Sequence, residues 1–130
     1  LSSIIGVSLQ TSFSIHGSQK TIDSVLAPEN PSLEDIKNLL GFERVEGVVF
    51  NSQWDTLFVE DEGLYNKGQN FFVLEHKADP VPGKALCLGT VIDTGELTSP
   101  WIHLDYLKRL ITFVTPEEAY EHWEKQSYDF

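Results

Sequence analysis

Residues 55–65 constrain the fold most, because they combine a strand pattern with a sharply defined turn. Side chains over 57–59 fall alternately on two sides, with the period of two that a pleated strand imposes. Three consecutive acidic residues follow at 60–62, and Gly63 can adopt the positive φ that tight turns often require. The stretch therefore predicts a strand, an acidic turn and the start of a return strand.

Strand patterns recur along most of the chain. The run Ala85–Asp93 is apolar almost without interruption, which is typical of a strand buried on both faces. Gly47, inside the predicted strand 42–50, suggests a β-bulge, and the apolar strand Phe71–Leu74 is expected to be central. Residues 4–26 are expected to form two or three strands, in which 13–15 continue the alternation of 4–10 and 20–26 resume it after a turn. Residues 54–60 are a further predicted strand.

Helix signals occur at three separated places. Ser32 can cap a short helix that Gly41 ends, and Asp35 stands where a capping box places its acid. Proline at the first helical position predicts a second helix from Ser99-Pro100 and a third from Thr115-Pro116.

The sequence also indicates where the second helix ends and which residues of the third helix face the core. Residues 112–114 either end the second helix or form a short strand. Ala119, Tyr120 and Trp123 are expected to line the inner face of the third helix.

Together these elements predict an α+β fold, with a mainly antiparallel β-sheet and two or three short helices packed on it. The chain has 130 residues, a common size for one domain, and it contains no repeat or linker, so we expect a single domain over residues 1–130.

The charge balance limits the class of partner. Twenty acidic residues against nine basic ones give a formal net charge of −11. Affinity for nucleic-acid phosphates and for anionic membranes comes from Lys and Arg, so we expect neither direct nucleic-acid binding nor membrane binding. A basic protein partner is compatible with this charge, although net charge also simply keeps proteins soluble.

The cysteine count and the hydropathy of the chain bear on its cellular compartment. One cysteine cannot form an internal disulfide, no apolar run approaches the ~18 residues of a membrane span, and the first residues lack a signal-peptide pattern. We expect a cytoplasmic protein.

No strong signature of metal or nucleophile chemistry occurs. The histidines form no H-E-x-x-H motif, and a Cys-x-x-Cys motif is absent. His103 and Asp105 stand close together, which is a common coincidence. Cys87 lies between two leucines in an apolar strand, which predicts a buried core thiol. We expect no catalytic residue, no metal and no cofactor.

Two candidate binding features remain. Glu60, Asp61 and Glu62 form either an ordinary solvated turn or a recognition surface for a basic partner. Trp54 and Trp101 are candidate anchors of a protein interface, as is Tyr128, because Trp and Tyr contribute disproportionately to interface energy.

The chain resembles a family of small accessory domains of unknown function that are encoded by phages, plasmids and other mobile elements. The matching pieces are Ser32–Gly41, Val59–Gly63, Asn70, Gly89-Thr90 and Asp93–Ser99. The family has an Asn-Glu-Glu-Gly-like turn, where this chain carries Glu60 in place of the asparagine. It also has a Gly-Leu-Pro segment, where this chain has Asn66-Lys67-Gly68. The resemblance implies a mobile-element gene product in a bacterial cytoplasm, and it implies no activity.

Three hypotheses follow. The first is a non-enzymatic accessory protein that binds another protein and can also self-associate. The second is an acidic DNA mimic that inhibits a nucleic-acid enzyme, which requires carboxylates gathered on one face. The third is a small-molecule-binding domain or enzyme with a pocket between sheet and helices, which requires a concave site with converging polar groups.

Overall fold

The computed structural model describes residues 3–4, 7–17, 19–60, 71–74 and 80–127. This part of the chain forms ten strands and three short helices. In chain order the elements are β1 (Ser3–Ile4), β2 (Val7–His16), β3 (Thr21–Pro28), α1 (Leu33–Leu40), β4 (Val45–Val49), β5 (Thr56–Glu60), β6 (Phe71–Leu74), β7 (Val81–Pro82), β8 (Lys84–Thr90), β9 (Leu97–Thr98), α2 (Leu104–Leu110), β10 (Ile111–Val114) and α3 (Pro116–Ser127).

The strands form two sheets in which every pairing is antiparallel. In the main sheet the principal strands lie in the order β3-β2-β8-β5-β4, with β1 beside β2 and β9 beside β8. A smaller sheet has the order β10-β6-β7, so Phe71–Leu74 is the middle strand of that sheet. The predicted α+β fold with a mainly antiparallel sheet is confirmed.

The main sheet is buried on both faces at its centre. Along β8, residues 85–89 are all buried, as the unbroken apolar run predicted. Ala85 and Cys87 face a core shared with the smaller sheet and α2. Leu86 and Leu88 face the opposite side, where Ile36 and Leu40 of α1 cover them.

Local capping signals identified two of the helices correctly. The Ser32 side chain accepts a hydrogen bond from the Asp35 N–H at 3.1 Å, the Asp35 carboxylate accepts one from the Ser32 N–H at 3.0 Å, and Gly41 ends α1 with φ 75°. At the start of α3, Thr115 and Glu118 form the same reciprocal arrangement.

The predicted start of the second helix is wrong. α2 begins at Leu104, with His103 at its N-cap, rather than at Ser99-Pro100. The N–H groups of Trp101 and Ile102 donate to the Asp55 carboxylate instead, and this long-range attachment holds the segment outside the helix. Residues 112–114 belong to strand β10, which decides between the two alternatives.

Two smaller predictions also need correction. The register of β4 against β5 runs through Gly47 without an extra residue, so Gly47 is not a bulge. A Cβ there would approach the Phe58 and Thr56 side chains to 3.1 Å, so glycine relieves crowding at this position. In α3, Ala119 is buried as predicted, but Tyr120 is 49% exposed because it lies outside the buried stripe. The side chain of Trp123 lies outside the described residues.

Candidate functional site

A short loop joins β4 to β5 and is held by the side chain of Asn51. Its carbonyl oxygen accepts hydrogen bonds from the backbone N–H groups of Gln53 and Asp55, both at 3.0 Å. The Asn51 backbone oxygen also accepts from the Trp54 N–H at 3.2 Å. Asn is favoured in such turns because its side chain can imitate a backbone acceptor. The loop therefore places Trp54 and Asp55 in fixed positions at the start of β5.

Trp54 has a backbone conformation that is unusual for its residue type. Its φ is 66°, in the left-handed region. Glycine, asparagine and aspartate reach this region readily, whereas a bulky side chain there marks local strain. The rest of the loop imposes this conformation, and it directs a large aromatic side chain to the surface, where Trp54 is 55% exposed.

Asp55 is the buried polar centre beneath this surface. Its side chain is fully buried and accepts three hydrogen bonds. Oδ1 accepts from the Trp101 N–H at 2.8 Å, and Oδ2 accepts from the Ile102 N–H and from the Asn51 side-chain amide, both at 2.9 Å. Hydrogen bonds to an ionised carboxylate are among the stronger ones in proteins. One carboxylate thus fastens the β4–β5 loop to the segment before α2.

Thr90, at the end of β8, completes the connection between the two tryptophans. Its hydroxyl donates to the Trp54 carbonyl oxygen at 3.0 Å, and its own carbonyl oxygen accepts from the Trp101 indole Nε1–H at 3.0 Å. Trp101 is 54% exposed. We name Trp54, Thr90 and Trp101 the tryptophan rim. Although its residues are distant in sequence, they form one surface above Asp55.

Close backbone packing supports the rim from below. A Cβ on Gly89 would collide with the Ser99 carbonyl oxygen, so only glycine lets the end of β8 approach the segment that precedes Trp101. Beyond Thr90, a turn is closed by a hydrogen bond from the Val91 N–H to the Glu96 oxygen at 2.8 Å. Ile92 in this turn is exposed, as are Asp93 and Glu96.

The structure brings together only some of the residues that the sequence singled out. Trp54 and Trp101 lie on the same rim, which their separation in sequence does not indicate. Glu60 is half-buried at the opposite end of β5. Glu60 lies five positions along the extended strand from Asp55, so the two residues are about 17 Å apart. Asp61 and Glu62 lie outside the described residues, as does Tyr128. Glu60 is therefore not part of the rim.

Sequence reasoning missed the role of Asp55. Asp55 is the first residue of the stretch with the clearest strand pattern. An aspartate in that position gives no sign that its side chain is buried. The available signal was weak: Asn51 and Asp55 flank a predicted loop, where side-chain hydrogen bonds are common. The three donors that make Asp55 important come partly from residues 101 and 102, which only the folded chain brings near.

Cys87 lies in the core beneath the rim. Burial raises the pKa of its thiol well above the usual range, and the nearby Asp55 carboxylate raises it further. A nucleophilic cysteine needs a lowered pKa and some exposure. The predicted buried core thiol is confirmed.

A shallow groove lies on the other face of the main sheet, beside α1. It has a volume of about 160 Å³. We name it the His16 groove, and it is lined by Ser14, His16, Val25, Leu26, Leu39, Leu40, Lys84, Ala85 and Leu86. The Ser14 hydroxyl and His16 Nε2 are 3.3 Å apart. Asp23 is opposite Ser14, not His16, in the ladder between β2 and β3, and it is exposed, so these residues do not form a Ser-His-Asp relay.

Within the described ranges, no three His, Cys, Asp or Glu side chains are grouped so that they could hold a metal ion. The same part of the chain has no helix with the length and apolar character needed to cross a membrane. Comparison with known proteins gives no match, whether to a protein-family model, to a curated protein or to a solved structure.

Proposed function

We propose that this protein acts by binding another protein through the tryptophan rim and that it catalyses no reaction. The observation that carries the proposal is that Trp54 and Trp101 are both exposed and both hydrogen-bonded to Thr90, while the buried Asp55 holds the Trp101 backbone. Trp is among the residues most enriched at the energetic centres of protein interfaces. Two half-exposed indoles on one small surface are the largest apolar anchors in the described part of the chain.

Backbone strain at Trp54 supports the same proposal. A left-handed conformation costs a bulky L-residue roughly 1–2 kcal/mol. Strained residues cluster at functional sites, where the surrounding structure imposes them. Trp54 is 55% exposed, so its strained backbone does not serve to bury the residue in the core.

Rigidity of the rim favours tight binding. Ordering a flexible side chain or loop at an interface costs free energy, which a preorganised surface avoids. The Trp101 indole is already fixed to Thr90 through Nε1, and the Trp54 backbone is fixed to Thr90 and Asn51. A partner would therefore lose little affinity to the ordering of these groups.

The resemblance to mobile-element accessory domains supplies the proposed context, a phage- or plasmid-encoded protein that works in the bacterial cytoplasm. The net charge of −11 favours a basic partner. Self-association through the same rim is compatible with the proposal, because exposed tryptophans can also bury each other.

The DNA-mimic alternative has less support. Its carboxylates should gather on one face, but the described ones are distributed: Asp23 and Glu46 occupy opposite edges of the main sheet, and Glu34 and Glu117 lie on separate helices. The small-molecule alternative has the His16 groove in its favour. However, ligand pockets typically measure about 300–1,000 Å³, and this groove is about 160 Å³.

The test is affinity capture with three altered proteins beside the original. The first carries Trp54→Ala and Trp101→Ala. The second carries Tyr106→Ala, a matched control because Tyr106 is an aromatic residue of similar exposure, 53%, that belongs to α2 and not to the rim. The third changes Glu60, Asp61 and Glu62 to glutamine. Each is incubated with nuclease-treated bacterial lysate, and bound proteins are quantified by mass spectrometry.

We expect a specific protein to be retained by the original, by the Tyr106 control and by the acidic-turn variant, and to be lost from the tryptophan variant by at least about tenfold. Loss from the acidic-turn variant alone would favour the DNA-mimic alternative. Retention by all four proteins would refute a role for the rim.

A further inference from the structure

Strand β4 leaves one edge of the main sheet open. In the described part of the chain, β4 is the last strand on its side of the sheet and pairs with β5 alone. Residues 46–49 are all exposed, including Val48 at 47% and Val49 at 52%. Consecutive strand residues point to opposite faces, so β4 is exposed on both faces over residues 46–49, whereas Val45 packs against the core cluster beneath α1.

The register shows which backbone groups face outward. The Phe50 N–H donates to the Asp55 carbonyl oxygen at 3.1 Å, so Phe50 points its backbone groups toward β5. Hydrogen-bonding direction alternates along an antiparallel strand. Glu46 and Val48 therefore also bond to β5, whereas Val45, Gly47 and Val49 direct their N–H and C=O groups to the open edge.

β4 lacks most of the features that protect natural edge strands. Such strands are usually blunted by short length, by charged side chains (especially lysine), by proline or by bulges, and β4 has one exposed charge, Glu46. Residues 45–49 contain no lysine and no proline, and the register has no bulge. The opposite edge strand, β3, ends in Pro28 and buries Ile22 and Ala27. Four of the five residues of β4 are exposed, against three of the eight in β3, so β4 is the more accessible of the two edges for strand addition.

Charge distinguishes a basic partner from a second copy of the chain. Two copies, each with a net charge of −11, repel. If β4 paired with itself around Gly47, Glu46 would lie opposite Val48 of the other copy. The two Glu46 side chains would then be diagonal neighbours at about 7–8 Å on one face. Exposed Glu43 and Glu46 outnumber Arg44 in this segment, so a basic strand is complementary and a second copy is not.

We propose that β4 receives an extended, basic segment of the partner as an additional strand, hydrogen-bonded to Val45, Gly47 and Val49. The proposal rests on the proposed protein-binding function and specifies how the partner binds. Strand addition is a common mode of peptide recognition in which the backbone supplies affinity and side chains supply specificity. Because β4 leads directly into the loop that carries Trp54, the added strand would end beside the tryptophan rim.

The test uses a defined peptide, acetyl-Lys-Val-Lys-Val-Lys-Val-Lys-amide, and amide hydrogen exchange measured by NMR on the complete chain. In the free protein we expect fast exchange at Val45, Gly47 and Val49 and protection at Glu46 and Val48. Saturating peptide should slow the three outward amides by at least about tenfold, since each gains a hydrogen bond. The same peptide N-methylated at every residue keeps the charge and the side chains but cannot donate a backbone hydrogen bond, so it should have no such effect.

A matched pair of variants tests the geometry. Val49→Pro removes an outward N–H that β5 does not use, and proline is tolerated at such edge positions, so the fold should persist by circular dichroism while peptide affinity falls about tenfold. Val48→Thr changes an adjacent side chain of similar exposure and should bind as the original does.

Four outcomes would overturn the proposal: equal protection by the N-methylated peptide, unchanged affinity of Val49→Pro, slow exchange of the outward amides in a free dimeric protein, or no peptide binding at all. The third would make a second copy the occupant of the edge. The two proposals fail separately. A lysate partner that is lost with the tryptophan variant but retained by Val49→Pro would refute strand addition and leave the rim function intact.

Discussion

The tryptophan rim and the His16 groove both place polar groups at the surface of the main sheet, yet they differ in how they are held. In the rim, one buried carboxylate accepts three hydrogen bonds at 2.8–2.9 Å, two from the distant residues 101 and 102 and one from Asn51, four residues away. In the groove, Ser14 and His16 share one 3.3 Å hydrogen bond within a single strand. The rim is therefore held by long-range contacts, and the groove pair by a local one.

The two regions also differ in the elements that surround them. The rim lies where three segments meet, at the ends of β8 and of the β4–β5 loop and before α2. The groove lies where α1 covers the sheet incompletely: α1 packs on the centre of the sheet and leaves Leu26 and Leu39 exposed at the groove. Among the described residues, Asp55 is the one buried charged side chain, and it holds the segments that carry the two tryptophans. This favours the rim over the groove as the proposed site.

The largest expected effect comes from Asp55→Asn. Asparagine keeps one acceptor oxygen but turns an amide toward a former donor, which leaves buried groups unpaired. We expect the free energy of unfolding to fall by about 2–4 kcal/mol, measured by urea unfolding. Asp93→Asn, at an exposed carboxylate in the adjacent turn, should change it by less than about 0.5 kcal/mol. A loss below 1 kcal/mol at Asp55 would show that the carboxylate does not hold the rim.

A smaller effect is expected at Trp54, where the glycine variant should be more stable than the alanine variant, the reverse of the usual order. Trp54→Gly and Trp54→Ala both remove the indole, so their difference reports the backbone alone. At φ 66° glycine is unstrained and alanine is not, so the glycine variant should be more stable by about 1 kcal/mol.

Trp101 is the matched control for this pair, because it is not among the residues with positive φ. Trp101→Gly should be equal to or less stable than Trp101→Ala, as is usual for glycine. Thermal unfolding of the four variants measures both differences. The same order at both positions would remove the argument for strain at Trp54.

The smallest effect is expected in the groove. Ser14→Ala removes one long hydrogen bond to His16 and leaves the strand ladder intact, so the free energy of unfolding should fall by no more than about 1 kcal/mol, again by urea unfolding. Capture of the partner through the rim should be unchanged. A loss as large as that of Asp55→Asn would mean that the groove is as tightly built as the rim, and the small-molecule hypothesis would gain.

The sequence predicted well those features that depend on neighbouring residues. The double burial of β8 follows from its apolar run, and the ends of α1 follow from Ser32, Asp35 and Gly41. It failed at the second helix, where local signals at Ser99-Pro100 favoured helix and a distant carboxylate bound the chain instead. It also chose Trp54 and Trp101 for their residue type and could not show that they meet.

By itself the sequence determined the fold class, the strand buried at the centre of the sheet and the capped helices, because periodicity and capping act over a few residues. Only the tertiary structure decided that Asp55 is buried, that Thr90 joins the two tryptophans and that β4 is an edge strand among the described residues. These depend on contacts between segments far apart in sequence, whose partners are fixed only when the sheet forms.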